Sequence, residues 1–159
     1  MRIFLDIDGV MVPAKSWQRP ELLNDGFPSF SSKATYVLQR LISEDTIIML
    51  TTSHKGNHSV EEWKSIFKNR NINIENLQRL PTNVDSLSRK DEILRWVNIN
   101  GISDDFIILD DDKSLNELPT FLKENLVQTS ALIGLTEEHL EIAEARIISQ
   151  RTSLIESEM

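Results

Sequence analysis

Acidic and hydroxyl side chains follow three apolar runs of the sequence, in positions where they could bind a cation or a phosphate group. The three polar segments are Asp6–Gly9, Thr51–Ser53 and Asp110–Asp112. Taken singly, an Asp-Gly turn, a Thr-Thr-Ser strand exit and an acidic triplet are ordinary loop sequences. If the fold brings them together, their carboxylates would repel one another and lower stability unless a cation lies among them.

The residue types favour magnesium as that cation. Hard divalent cations prefer oxygen ligands, and Mg²⁺ commonly takes one or two carboxylates together with substrate phosphate and water. The chain contains no cysteine and only three histidines, which excludes thiolate zinc sites, disulfides and cysteine nucleophiles. His54 and His58 are four residues apart, but Gly56 and Asn57 between them indicate a loop rather than a helix that presents a metal-binding pair.

The apolar runs that precede the polar segments have the length and composition of buried strands. The strong runs are residues 2–5, 47–50 and 106–109, and weaker ones lie at 77–80 and 125–128. Amphipathic stretches of helical period separate them and begin at Ser32, Ser59, Ser88, near 113 and at about Thr136. This alternation predicts an α/β fold, with a parallel sheet covered by helices on both faces. Ligands of such sheets bind beyond the carboxyl ends of the strands, where the polar segments fall.

Length and charge narrow the class of protein further. The 159 residues suit a single domain, 1–159. Residues 11–30 lack a clean period and are interpreted as an irregular excursion, in which Trp17 could stack on a base or pack beneath the segment.

The net charge of −8 disfavours bulk nucleic-acid binding but leaves room for a local basic spot. No apolar run has the length of a membrane span, and no signal peptide is evident, so we expect a cytoplasmic protein without a membrane partner.

Four motifs resemble those of the haloacid dehalogenase (HAD) superfamily and occur in its order. Phe4–Val10, an apolar strand that leads into Asp-x-Asp-Gly, resembles motif I, and Ile47–Thr51 is similar to motif II. Lys90, in the first turn of a helix, matches the basic residue of motif III, with Arg89 as the rival. Phe106–Asp111 resembles motif IV. The resemblance implies a single HAD-like, Rossmannoid domain without a large cap domain.

A closer resemblance is to the HAD domain of Swiss Army Knife RNA repair proteins. The residues that carry it are Arg89–Ile93 with Trp96, Ile107–Asp112, Leu126–Thr129 and Gly134–Thr136. In the superfamily, the region that corresponds to residues 11–30 forms a turn and a flap beside the nucleophile, so the same is expected of this excursion.

The resemblance implies phosphoryl transfer through an aspartyl-phosphate intermediate. Asp6 would be the nucleophile, and Asp8 the general acid that protonates the leaving group and then activates water. The groups expected to bind the phosphoryl oxygens are Thr51, Thr52 and either Lys90 or Arg89.

The same resemblance implies a magnesium site and further substrate contacts. The residues that would hold Mg²⁺ are Asp6, Asp8 through its backbone carbonyl, Asp110 and Asp111. Asp112 is expected outside this set. His54 and Lys55, in the loop after motif II, are expected to contact the substrate.

We therefore expect an Mg²⁺-dependent phosphomonoester hydrolase whose substrate is a nucleotide or a nucleic-acid terminal phosphate. Two alternatives stay open. One is a phosphatase or phosphotransferase that acts on a small phosphorylated metabolite, and the other is a non-catalytic HAD-like module that binds a phosphate ligand or a partner. The sequence does not indicate the oligomeric state.

Overall fold

Short apolar segments form the five parallel strands that organise the chain in a computed structural model, which describes residues 1–15, 19–102 and 105–158. The strands are β1 (Arg2–Leu5), β2 (Ile47–Leu50), β3 (Asn76–Arg79), β4 (Phe106–Asp110) and β5 (Leu126–Gln128). Their order in the sheet is β3-β2-β1-β4-β5. The chain is thus a single α/β domain with a Rossmannoid, HAD-like core, and no cap domain is present among the described residues.

Helices connect the strands and cover both faces of the sheet. They are α1 (Ser32–Leu41), α2 (Val60–Lys68), α3 (Arg89–Asn100), α4 (Thr120–Lys123) and α5 (Glu137–Glu158), with short 3₁₀ turns at Lys55–Asn57 and Lys113–Glu117. Because side chains alternate along a strand, Ile3 and Leu5 pack with α1, α2 and α5, whereas Phe4 packs with α3 and α4 on the other face. The described residues contain no helix long and apolar enough to cross a membrane.

The predicted elements are confirmed with small shifts at their ends. The capping box predicted at Ser59 forms with Glu62, and Ser88 caps α3 by accepting the N–H of Asp91. The helix expected near 113–118 is a 3₁₀ turn, and α4 was not anticipated. A four-residue helix leaves too short an apolar pattern for its period to be recognised.

The register of the sheet sets the positions of the polar segments. Leu5 lies beside Leu50 on one side and beside Leu109 on the other. The residues that follow these three leucines therefore emerge at one level of the sheet edge, at its carboxyl side.

Residues 11–15 and 19–30 follow an irregular path, with an isolated bridge between Leu22 and Pro28. Arg70, just after α2, fixes the end of this excursion. Its guanidinium is buried and donates to the Asp25 carboxylate at 2.6 and 3.0 Å and to the carbonyl of Phe27 at 2.8 Å. Trp17 lies outside the described residues, and the flap function of the excursion stays a prediction.

Candidate active site

Three side chains from neighbouring strands meet at the carboxyl edge of the sheet. Asp6 follows β1, Thr51 follows β2, and Asp110 is the last residue of β4. The backbone N–H of Asp6 donates to the carbonyl of Leu109, and the N–H of Thr51 donates to that of Leu5. Thr51 Oγ1 then donates to Asp110 Oδ2 at 3.1 Å. All three side chains are buried, so the sheet itself fixes their positions.

Asp111 completes a group of three carboxylates with Asp6 and Asp110. One oxygen from each lies within 4.8 Å of the others, a spacing that could hold a metal ion. The turn after β1 makes room for Asp111. Gly9, at φ +80°, lies so close to it that a Cβ there would overlap the Asp111 carboxylate.

Thr129, which was not among the predicted site residues, connects this turn to the sheet by hydrogen bonds. Its Oγ1 donates to the Gly9 carbonyl at 2.7 Å, and its backbone N–H donates to the Asp110 carbonyl at 3.1 Å. Asp112 lies outside the three-carboxylate group and caps the following 3₁₀ turn by accepting the N–H of Ser114.

Arg89 is the basic residue that the structure brings to the carboxylates. Its Nη1 lies 2.6 Å from Asp110 Oδ2, 3.2 Å from Thr51 Oγ1 and 3.5 Å from Asp6 Oδ1. Arg89 is the first residue of α3, directly after the Ser88 cap, so the start of the helix points it toward the sheet edge.

Lys90, which the motif III resemblance favours for this place, lies elsewhere. Its ammonium is 4.0 Å from Glu117 Oε2 on the outside of the domain, and its backbone N–H donates to Ser114 Oγ. Successive helical residues are rotated by about 100° around the axis, so only one of the two adjacent basic residues can face the carboxylates.

Two other residues predicted to bind substrate are engaged within the protein. Lys55 is buried, and its Nζ donates to Glu92 Oε2 at 2.9 Å. Thr52 is also buried, and its Oγ1 accepts the backbone N–H of His54 at 3.3 Å. Glu92 was not among the predicted site residues, although it lies one helical turn after Arg89.

Asp8 and His54 form the exposed rim of the site. His54 Nε2 lies 2.7 Å from Asp8 Oδ2, and the side chains are 41% and 54% exposed, respectively. Asp6 is only 5% exposed. The site therefore has a buried carboxylate at its base and a second carboxylate open to solvent two residues later.

Burial and mutual repulsion shift the protonation of the buried groups. Burial, followed by the charge of Asp110, raises the pKa of Asp6 to about 9 despite the opposing effect of Arg89. Burial also raises the pKa of Asp110. Although burial alone would lower the pKa of Arg89, Asp110 and Asp6 raise it above its usual value. One guanidinium does not offset three clustered carboxylates.

These features fit a divalent cation. Closely spaced carboxylate oxygens are the donor set that hard cations such as Mg²⁺ prefer. Burial and the charge of Asp110 raise the pKa of Asp6, and a cation bound among the three carboxylates would favour its ionised form. Asp6, Asp110 and Asp111 could supply oxygen ligands to one ion.

Comparison with family models gives a match over most of the chain. The model described as the HAD domain in Swiss Army Knife RNA repair proteins matches residues 2–140. These residues include all five strands and every side chain of the site described above. The chain has no significant match among curated proteins or solved structures.

Proposed function

This chain belongs to the family of HAD domains in Swiss Army Knife RNA repair proteins, and we propose that it is an Mg²⁺-dependent phosphomonoester hydrolase that acts on nucleic-acid terminal phosphates. Membership of the family suggests a phosphohydrolase. The observation that carries the finer proposal is the convergence of Asp6, Asp110 and Asp111 within 4.8 Å, with Arg89 and Thr51 against them.

In the proposed reaction, a carboxylate oxygen of Asp6 attacks phosphorus and the bond to the leaving oxygen breaks, which leaves a phosphoryl group on Asp6. Asp8 gives its proton to the leaving oxygen. Asp8 then takes a proton from a water molecule as that water attacks the aspartyl-phosphate, which releases inorganic phosphate and restores Asp6.

The remaining side chains would stabilise charge and position the substrate. Arg89 and Thr51 have donors at the level of Asp6, where the non-bridging phosphoryl oxygens would lie. Bound Mg²⁺ would supply the positive charge that lets an anionic carboxylate approach an anionic phosphate. Asp6, Asp110, Asp111 and the backbone carbonyl of Asp8 would hold it.

The exposure of the rim to solvent supports a substrate with a large leaving group. The proposed general acid, Asp8, is the most exposed carboxylate of the site, with 54% of its side chain accessible. A polynucleotide attached to the leaving oxygen could extend from this rim into solvent. The net charge of −8 opposes broad contact with the phosphate backbone, so a terminal phosphate suits this site better than an internal position.

A phosphatase screen with and without MgCl₂ tests the proposal. It should include oligonucleotides phosphorylated at the 3′ or the 5′ end, mononucleotides, a sugar phosphate and a small aryl phosphate. Mg²⁺-dependent release of phosphate from an oligonucleotide end, with the highest kcat/KM of the panel, would support it. Preference for the sugar phosphate would favour a metabolite phosphatase, and transfer to an added alcohol would favour a phosphotransferase. No turnover on any substrate would favour a non-catalytic module.

A further inference from the structure

One hydrogen-bond donor of the site has no acceptor. Arg89 Nε is buried, and it is the only buried side-chain nitrogen or oxygen without a partner in the described part of the chain. An unpaired buried donor is costly. On the same guanidinium, Nη1 donates to Asp110 Oδ2 at 2.6 Å and to Thr51 Oγ1 at 3.2 Å. The hydrogen bonds that the structure shows for the guanidinium are therefore made by Nη1, whereas Nε makes only a longer ionic contact.

Glu92 lies beside that donor and forms an ion pair with it. Its Oε1 lies 3.7 Å from Arg89 Nε, which is too long for a hydrogen bond. Its other oxygen, Oε2, accepts a hydrogen bond from Lys55 Nζ at 2.9 Å. The side chains of Glu92 and Lys55 are only 9% and 6% exposed. Glu92 is thus a fixed, buried carboxylate less than one ångström out of reach of Arg89 Nε.

The loop after β2 holds Lys55 firmly. The backbone carbonyl of Lys55 accepts the indole N–H of Trp63 at 3.0 Å and Nη1 of Arg79 at 3.2 Å. The ammonium also offsets the charge of Glu92, so that this carboxylate adds little repulsion toward an anionic substrate. Lys55 therefore acts on Glu92 rather than on the substrate.

We propose that Glu92 is a positioning residue of the phosphate site, which accepts the Nε–H of Arg89 when phosphate is bound and so directs the guanidinium at the phosphoryl oxygens. This inference rests on the proposed function. Phosphate binding offers Nη1 of Arg89 an alternative to Asp110. A small shift then brings Nε within about 2.9 Å of Glu92. Both Nη nitrogens can then face the phosphate as a planar fork.

Nuclear magnetic resonance of the Arg89 side chain tests this directly. The probes are inorganic phosphate with MgCl₂, added to the full chain and to the variant Glu92→Gln. In the wild type, the Arg89 Nε–H signal should shift downfield and exchange more slowly with water when both probes are present. In Glu92→Gln both changes should be much smaller, because the single amide oxygen cannot serve Lys55 Nζ and Arg89 Nε as the two carboxylate oxygens do. An Nε–H signal that responds identically in the two proteins would overturn the proposal.

Kinetics separate positioning from mere structural support. Glu92→Gln should lower kcat/KM on the order of ten- to a hundredfold, as does loss of a partner that orients an active group. Glu117→Gln is the matched control, because Glu117 faces Lys90 and is 79% exposed. It should leave turnover unchanged. Unfolding midpoints of both variants show whether a loss of activity follows a loss of stability.

Rescue of Glu92→Ala by an added carboxylate distinguishes a positioning role from a purely structural one. Glu92 lines a cavity of about 410 Å³ beside β3 and α3, together with Leu80, Arg95 and Trp96. A small carboxylate could reach the space left in Glu92→Ala by this route. Formate should restore part of the activity of Glu92→Ala but not that of Arg89→Ala. If the wild type hydrolyses a phosphoester and Glu92→Gln has the same activity, the positioning role of Glu92 is wrong, whereas the proposed function stands. If the wild type has no activity on any phosphoester, the proposed function fails.

Discussion

His54 Nε2 lies 2.7 Å from Asp8 Oδ2, so a residue of the loop after β2 holds the carboxylate proposed as the general acid. The ring of His54 itself packs edge-on to Phe27 of the irregular excursion, with centroids 6.4 Å apart. The proposed acid is thereby fixed from outside its own turn, although half of its surface is exposed.

Replacing His54 by alanine should impair the proposed acid without removing it. We expect the kcat for an alkyl phosphate, which has a poor leaving group, to fall on the order of tenfold or more. The kcat for p-nitrophenyl phosphate should fall much less, because that leaving group needs little protonation. His58→Ala is the control, since His58 contacts Phe27 and Trp63 but lies outside the Asp8 pair. Equal losses on the two substrates would count against an orienting role.

Substituting Gly9 by alanine should weaken metal binding. The new Cβ would overlap the Asp111 carboxylate and push it from Asp6, so Mg²⁺ affinity should fall by about tenfold or more. Gly101→Ala is a matched control: its φ is +72°, close to the +80° of Gly9, but a Cβ there meets no atom within 4 Å. Titration calorimetry compares the two. If the two variants bind Mg²⁺ with similar affinity, overlap with the Asp111 carboxylate does not weaken metal binding, and the prediction is wrong.

Binding of Mg²⁺ should release a proton from Asp6. Because burial and Asp110 raise its pKa from 3.8 to about 9, Asp6 is protonated near neutral pH without metal, whereas a metal ligand must be ionised. We expect release of about one proton per ion and tighter binding as the pH rises from about 6 to 8. Calorimetry in buffers of different ionisation enthalpy counts the protons. Undiminished proton release in Asp6→Asn would assign the proton to another group.

The raised pKa of Asp6 also predicts how the stability of the metal-free protein depends on pH. Between the usual pKa of Asp6, 3.8, and about 9, the folded state binds more protons than the unfolded state. The contribution of Asp6 to the free energy of unfolding therefore falls as the pH rises through this range. Urea unfolding at several pH values should show a weaker decline in Asp6→Asn than in the wild type. Parallel curves for the two proteins would contradict the raised pKa.

Replacing Arg70 by methionine should destabilise the fold strongly. Arg70 is buried, pairs with Asp25 through two nitrogens and donates to the carbonyl of Phe27. Its loss leaves Asp25 without its ionic partner and the carbonyl of Phe27 without a donor. Because the Asp25 side chain keeps some contact with solvent, at 17% exposed, we expect a loss of about 2–3 kcal/mol. Arg40→Met, on the surface of α1, should change the free energy of unfolding by about 0.5 kcal/mol or less. A small effect of Arg70→Met in urea unfolding would show that the excursion is held by other contacts.

The sequence predicted those parts of the site that depend on the sheet. Apolar runs of similar length end in Asp6, Thr51 and Asp110, and parallel pairing brings such ends to one edge. The choice between Arg89 and Lys90 depended on the phase of a single helix. That phase follows from the Ser88 cap and from packing of α3 on Phe4 and its neighbours.

Contacts between a loop and a distant part of the chain had no signal in the sequence. Lys55 and Glu92 are 37 positions apart, and Asp8 and His54 are 46 apart. Neither pair has a fixed spacing, because each depends on how a loop leaves its strand. Burial of Lys55 could not be anticipated either, since lysine is rarely buried unless it is paired.

Detection of a phosphoryl group on Asp6 tests the account most directly. A phosphorylated oligonucleotide that the protein hydrolyses is mixed with it in MgCl₂, quenched in acid within the first turnover, and the digested protein is analysed by mass spectrometry. We predict a hydroxylamine-sensitive phosphoryl adduct on the peptide that carries Asp6, and neither adduct nor turnover in a folded Asp6→Asn variant. Undiminished turnover in Asp6→Asn, or an adduct on another residue, would contradict the account.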